Sequence, residues 1–159
     1  MLEVLMAKKK IDPSKIFADY VIDMRGDTRW FAELHYTSTM RGPRGNKHIE
    51  MSNIPTLNIS GKLSYTESKK VELGSPIDIR IYTEEEERVT EFIGIIDKYK
   101  NVLQVVLWLP WEIANHLHMT LISGKAEMVT ISGTDLYRRS ASVRGIDMKA
   151  EYDLQDYFE

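Results

Sequence analysis

The chain contains no cysteine. Disulfides, thiolate zinc ligands and cysteine nucleophiles are excluded together. Long apolar runs are also missing. The longest, VLQVVLWLPW, falls well short of the ~20 residues a membrane helix needs. The opening MLEVLMAKKK places its lysines after a short apolar run, whereas a secretory signal carries its charge first and a longer apolar core behind it. A soluble, cytoplasmic protein away from membranes is therefore expected. There is no excess of positive charge: the formal net charge is -3 and the pI about 5.8. Nucleic acid is thus not expected as the main partner, although a local basic patch remains compatible with that balance. No nucleophile elbow, Walker loop or dinucleotide glycine fingerprint is present. The expectation is a non-enzyme without cofactor or metal.

What is present suits a folded domain. At 159 residues, with 43% apolar and 28% charged residues, the chain can bury a core without cross-links. Residues 1–12 read as a flexible N-terminal arm and 13–159 as one β-rich domain. TRWFAELHYTS alternates apolar and polar positions, the period-two mark of a half-buried strand. PIDIRIYT does the same with Ile77, Ile79 and Ile81. RVTEFIGIID and NVLQVVLWL follow, joined by a turn at 97–101. The second is nearly continuous in hydrophobicity, which predicts a central strand with Trp108 buried. EEEE (84–87) reads as a solvated loop. Trp111, Ala114, Leu117 and Leu121 recur at helical spacing after Pro110, and Gly124 suits the helix end. The fold class expected is all-β: an antiparallel β-sandwich or β-barrel with one α-helix after the central strand.

Ile-Ser-Gly occurs three times, at 59–61, 122–124 and 131–133. The spacing has no fixed period, so a repeat architecture is not implied, and each glycine reads as a corner of the chain. RGD (25–27) reads as a hairpin tip. STMRGPRGNKH reads as a mobile, protease-sensitive loop, with Arg41, Arg44, Lys47 and His48 spaced by glycines. Such a loop can close over phosphate, because arginine binds phosphate bidentately and glycine lets the backbone approach. Its bland alternative is a solvated loop. Arg138 and Arg144 in YRRSASVRG would share a strand face. Glu112 and His116 share a helix face but lack a third metal ligand.

Arg25 and Arg29 form an Arg-x-x-x-Arg before the strand WFAELHY, and NISG supplies Asn58 and Ser60 near the start of a later one. In this order of features the chain resembles the PilZ family of cyclic-di-nucleotide receptors over about residues 25–121. Gly61 stands two residues earlier than that family's Asp/Asn-x-Ser-x-x-Gly requires. The resemblance implies a six-stranded β-barrel in which Arg25 and Arg29 hold the ligand's phosphates and guanine, with Asn58 and Ser60 assisting. The leading expectation is a non-enzymatic binding or protein-interaction module acting through a protein partner or self-association. A small anionic nucleotide is the alternative ligand. Its candidate binding residues are Arg25, Arg29, Asn58, Ser60, Arg41 and Arg44. An enzyme with an unrecognised site is the third possibility.

Overall fold

The alternation in the sequence becomes the wall of a barrel. In β4 (Pro76–Glu84), Ile77, Ile79 and Ile81 are buried while Asp78 and Arg80 are exposed. A pleated strand sends successive side chains to opposite faces, so one phase fills the core and the other meets solvent. The computed structural model describes residues 12–26, 28–41, 48–84 and 91–150, without the side chains of 34–41, 48–55 and 84. Residues 1–11 of the expected N-terminal arm (1–12), the glutamates after Glu84, Asp27, Arg44 and Lys47 lie outside the described residues.

After a 3-10 turn at Pro13–Lys15 come β1 (Phe17–Asp23), β2 (Arg29–Arg41), β3 (His48–Thr66), β4, β5 (Gly94–Tyr99) and β6 (Val102–Pro110). Helix α1 (Trp111–Ile122), β7 (Ala126–Thr134) and β8 (Ser140–Ala150) complete the order. The strands run β1-β7-β8-β5-β6-β4-β3-β2, and β1 also pairs with β3. That extra pairing closes seven strands into a barrel and leaves β2 outside the ring. The neighbours are antiparallel except β4 and β6, which pair in parallel. The barrel has seven strands where the PilZ resemblance implies six.

The core fills the barrel. Tyr20, Ile22, Ile59, Leu63, Ile96 and Leu103 are among its fully buried side chains. Helix α1 packs on it through Ala114, Leu117 and Leu121, three of the four positions expected to face inward, whereas Trp111 is 52% exposed. Trp108 is not buried: it is 41% exposed. In β6 the inward phase is Leu103, Val105, Leu107 and Leu109, so Trp108 points outward with Gln104 and Val106. A barrel strand has only one inner face, and that face was already filled by the leucine phase.

The expected corners also need correction. Only Gly124, with φ +70, ends an element. Gly61 lies inside β3, and a Cβ there would sit 2.8 Å from Ile22 Cγ2 and 2.9 Å from Thr28 Oγ1. Gly133 lies inside β7 at a register shift against β8, and a Cβ there would meet the Ser142 carbonyl oxygen at 2.2 Å. Both are places of close approach rather than turns. The segment around Gly26 is not a hairpin tip, because β1 and β2 do not pair with each other. They lie end to end along one edge of β3: Ile22 is opposite Leu63 and Arg29 is opposite Ser60. STMRGPRGNKH is partly strand, since β2 runs to Arg41 and β3 starts at His48; residues 42–47 lie outside the described residues.

Candidate functional site

The β2–β3 ladder positions the site. Directly opposite residues share a face. Arg29 with Ser60, Phe31 with Asn58 and Glu33 with Thr56 therefore project together to the outside. The rows continue across β4 as Asp78, Arg80 and Tyr82, and across β6 as Gln104, Val106 and Trp108. Phe31, Asn58, Ser60, Asp78, Arg80 and Gln104 border a depression of about 280 Å³. Arg80 is held over it: its Nε donates to Asn58 Oδ1 at 3.3 Å and a terminal nitrogen donates to the Tyr82 hydroxyl at 3.4 Å. The Tyr82 bond, then the nearby Asp78 and Glu33 carboxylates, keep the Arg80 guanidinium above its ordinary pKa. Trp108 stacks on Tyr82 with ring centres 6.4 Å apart, and Phe31 is 56% exposed. The face is thus polar at the Arg29 end and aromatic towards Trp108.

The other edge of β2 meets no strand among the described residues. Among the described residues β2 pairs only with β3, over thirteen consecutive register pairs without a shift. β4 joins β3 only from Thr56 onward. The stretch 34–41 with 48–55 is consequently a two-stranded arm beyond the barrel.

The candidate residues do not all converge. Arg29, Asn58 and Ser60 share the outer face just described. Arg25 lies beside it, in a hollow of about 200 Å³ with Gly26, Thr28 and Lys62. It is engaged by Asp23: Nε lies 3.1 Å from Oδ1 and the second guanidinium contact to Oδ2 is 3.3 Å. The Arg25 side chain, then its backbone amide, hold the Asp23 carboxyl below its usual pKa. Arg41 stands opposite His48 at the far end of β2. Twelve residues of strand separate it from Arg29, roughly 40 Å at 3.3 Å per residue. Arg41 and Arg29 therefore do not converge, and Arg44 lies outside the described residues. Arg138 and Arg144 do not share a face either. Arg138 sits in a turn with φ 49, and Arg144 stacks 4.3 Å over the Phe17 ring and bonds Glu91 at 3.4 Å. Phe31, Arg80, Tyr82 and Trp108 were missed as site residues. The signal was available in the alternation of β2, β4 and β6, read in the outward phase.

A second cavity of about 300 Å³ lies between α1 and the strands, bordered by Ala32, Leu57, Thr83, Trp111, Asn115 and His118. His118 meets Trp30 edge-on at 5.6 Å. Among the described residues no three His, Asp or Glu side chains could together hold a metal ion, Glu112 and His116 included. No helix among them is long and apolar enough to cross a membrane.

A further polar cluster is structural in character. Ser68 Oγ donates to Asp135 Oδ1 at 2.5 Å, and the Lys70 ammonium bonds the Leu136 carbonyl. The Tyr20 hydroxyl donates to the Thr134 carbonyl at 3.0 Å. These bonds tie the 67–71 loop and β1 to the end of β7.

Comparison with known proteins gives no match: no protein family, no curated protein and no solved structure matches the chain. The likeness to PilZ receptors rests on the quoted motifs alone.

Proposed function

We propose that this chain is a non-enzymatic protein-interaction module that pairs with its partner through the open edge of β2. The observation that carries the reading is the unprotected regularity of that edge. An open strand edge offers rows of unpaired N–H and C=O groups, and proteins ordinarily blunt it with proline, lysine, a bulge or short length. β2 has thirteen residues, RWFAELHYTSTMR, with no proline and no lysine, and no bulge against β3. Strands usually run about 3–10 residues. A two-stranded arm is marginal in water alone, and a third strand added to β2 stabilises it by completing its ladder. Exposed Phe31, on the edge strand itself, offers apolar contact to whatever lies along it, and the Tyr82–Trp108 pair lies on the same outer face two and three strands further in.

A photo-reactive residue placed at Ala32 in the full chain in cells tests this, with Leu73, exposed on the loop before β4, as the control. The expected result is a discrete cross-link from Ala32, to a second copy or to another protein, and none from Leu73. Equal, diffuse labelling at both positions refutes it.

A second reading, a small anionic nucleotide on the outer face, is favoured by one observation: Arg29 stands directly opposite Ser60, with Asn58 on the same face. Calorimetric titration with cyclic di-nucleotides is expected to give heat that Arg29→Ala removes. No heat from the wild-type chain at high micromolar ligand eliminates this reading.

A further inference from the structure

We propose that two adjoining turns at one end of the barrel form a binding site for a nucleoside polyphosphate, separate from the β2 edge. The first turn, Lys100 and Asn101, joins β5 to β6 through the pair Tyr99 and Val102. The second, Arg138 and Arg139, is closed by the bridge between Tyr137 and Ser140. They lie side by side: the Lys98 amide donates to the Arg139 carbonyl at 2.8 Å, and Asp97 pairs with Ser140.

The backbone of these turns is unusual. Lys100, Arg138 and Arg139 have φ of 56, 49 and 66 degrees, and they are the only non-glycine residues at positive φ among those described. Tight hairpin turns of this kind are normally built with Gly, Asn or Asp, which accept positive φ at little cost. All three strained positions here carry a cation instead, and all three fall at one place. Strain of this sort, gathered at one spot, points to function.

The side chains agree. Lys98, Tyr99, Lys100 and Arg139 border an open hollow of about 390 Å³. Lys98 is anchored there by a 2.7 Å bond from Nζ to the Lys70 carbonyl. Tyr99 is 65% and Tyr137 49% exposed; Lys100 lies 5.6 Å over the first ring and Arg138 5.2 Å over the second. Among the described residues no carboxylate pairs with Lys98, Lys100, Arg138 or Arg139. Asp97, at the base of both turns, accepts a 3.0 Å bond from Ser140 Oγ. Three cations around one hollow, with Arg138 next to them in the same turn, call for a multiply charged anion in a chain of net charge -3. The two exposed tyrosine faces call for a planar ring, because bases stack on aromatic side chains. A hollow of this size falls within the range of small-ligand sites, and the negative charge of the whole chain disfavours a long polyanion. Phosphates would lie on Lys98, Lys100 and Arg139, with the base against Tyr99 or Tyr137.

The test is calorimetric titration of the full chain with ATP, GTP and CTP at low salt, beside inorganic triphosphate, adenosine and a fifteen-residue oligothymidylate. At least one nucleoside triphosphate is expected to bind, more weakly as salt rises, and at least tenfold tighter than inorganic triphosphate. Adenosine is expected to give no heat. Lys100→Gly and Arg139→Gly are each expected to weaken binding at least tenfold, the loss of one charge-assisted contact. The free variants should melt at the same temperature or higher, because glycine relieves the positive φ. Lys100→Asn and Arg139→Asn, which also suit the turns, repeat the test should a glycine variant fold poorly. Absence of binding by the wild type, or binding unchanged in the variants, overturns the proposal. Equal affinity for inorganic triphosphate overturns the nucleoside assignment. Much tighter binding of the oligonucleotide makes nucleic acid the ligand in place of a small nucleotide.

Discussion

Tyr20 makes a prediction that the structure quantifies at two pH values. Its ring is fully buried in the barrel, and its hydroxyl donates to the Thr134 carbonyl at 3.0 Å. Tyr20→Phe keeps the ring and deletes the donor. Thr134 is 6% exposed, so its carbonyl is left without this donor in a site that water barely reaches. Leaving a buried acceptor unsatisfied costs about 1–3 kcal/mol. At this chain length each kcal/mol lowers Tm by about 2–4 °C. Burial first, then the neighbouring Asp135 and Glu67 carboxylates, raise the Tyr20 pKa far above its ordinary value of 10.0. A raised pKa gives stability that is complete below the unfolded value and is lost as pH rises towards the folded one. One pH unit above the unfolded value, this single group has cost the wild type about 1.4 kcal/mol. The phenylalanine variant has no such titration. The gap between wild type and variant, measured by urea unfolding, should be about 1–3 kcal/mol at neutral pH and should narrow by about 1.4 kcal/mol near pH 11. A gap that is constant with pH refutes the argument.

Ile79 is 1% exposed in the barrel interior, and Ile79→Ala should destabilise by about 2–5 kcal/mol on urea unfolding. Trp108→Ala should cost less than that, because Trp108 is 41% exposed; a loss as large as that of Ile79→Ala contradicts the outward placement. Asp23 is expected to titrate below 3.8 by NMR in the native chain, and Arg25→Ala should move it back towards that value. Because its folded pKa is depressed, its contribution is present above the ordinary carboxylate range and is lost as pH falls through the folded value. An unchanged Asp23 titration in the variant contradicts the ion pair.

The fold class was legible because alternation is a local property. Ile77, Ile79 and Ile81 declare the inner phase of β4, and Ala114 and Leu121 declare the inner side of α1. β6 was misread because Val106 and Trp108 make its outer phase apolar too, and an apolar run does not say which of its phases is buried. Gly61 and Gly133 were read as corners because glycine marks both a turn and a close contact. Only the neighbours in space separate the two: Ile22, far off in sequence from Gly61, and Ser142, on the strand next to that of Gly133. The parallel pairing of β4 with β6 depends on long-range closure that no local pattern carries. Arg29, Asn58 and Ser60 stand out in the sequence through motif spacing alone; that they share one face follows from the β2–β3 register, which the spacing does not carry. The open edge of β2 was not legible, because it becomes an edge only when β1 takes the place beside β3.

The central claim, that β2 pairs along its open edge, is tested most directly by residue-resolved amide hydrogen exchange. The full chain is compared alone and in complex with the partner that Ala32 cross-links, whether a second copy or another protein. Successive amides of a strand point to opposite edges. In the free chain, therefore, every second amide of β2 should exchange fast, while those bonded to β3 are slow. In the complex the fast set should become protected, and the barrel strands should hardly change. New protection confined to the faces of β4 and β6, with the alternate β2 amides still fast, would contradict the account.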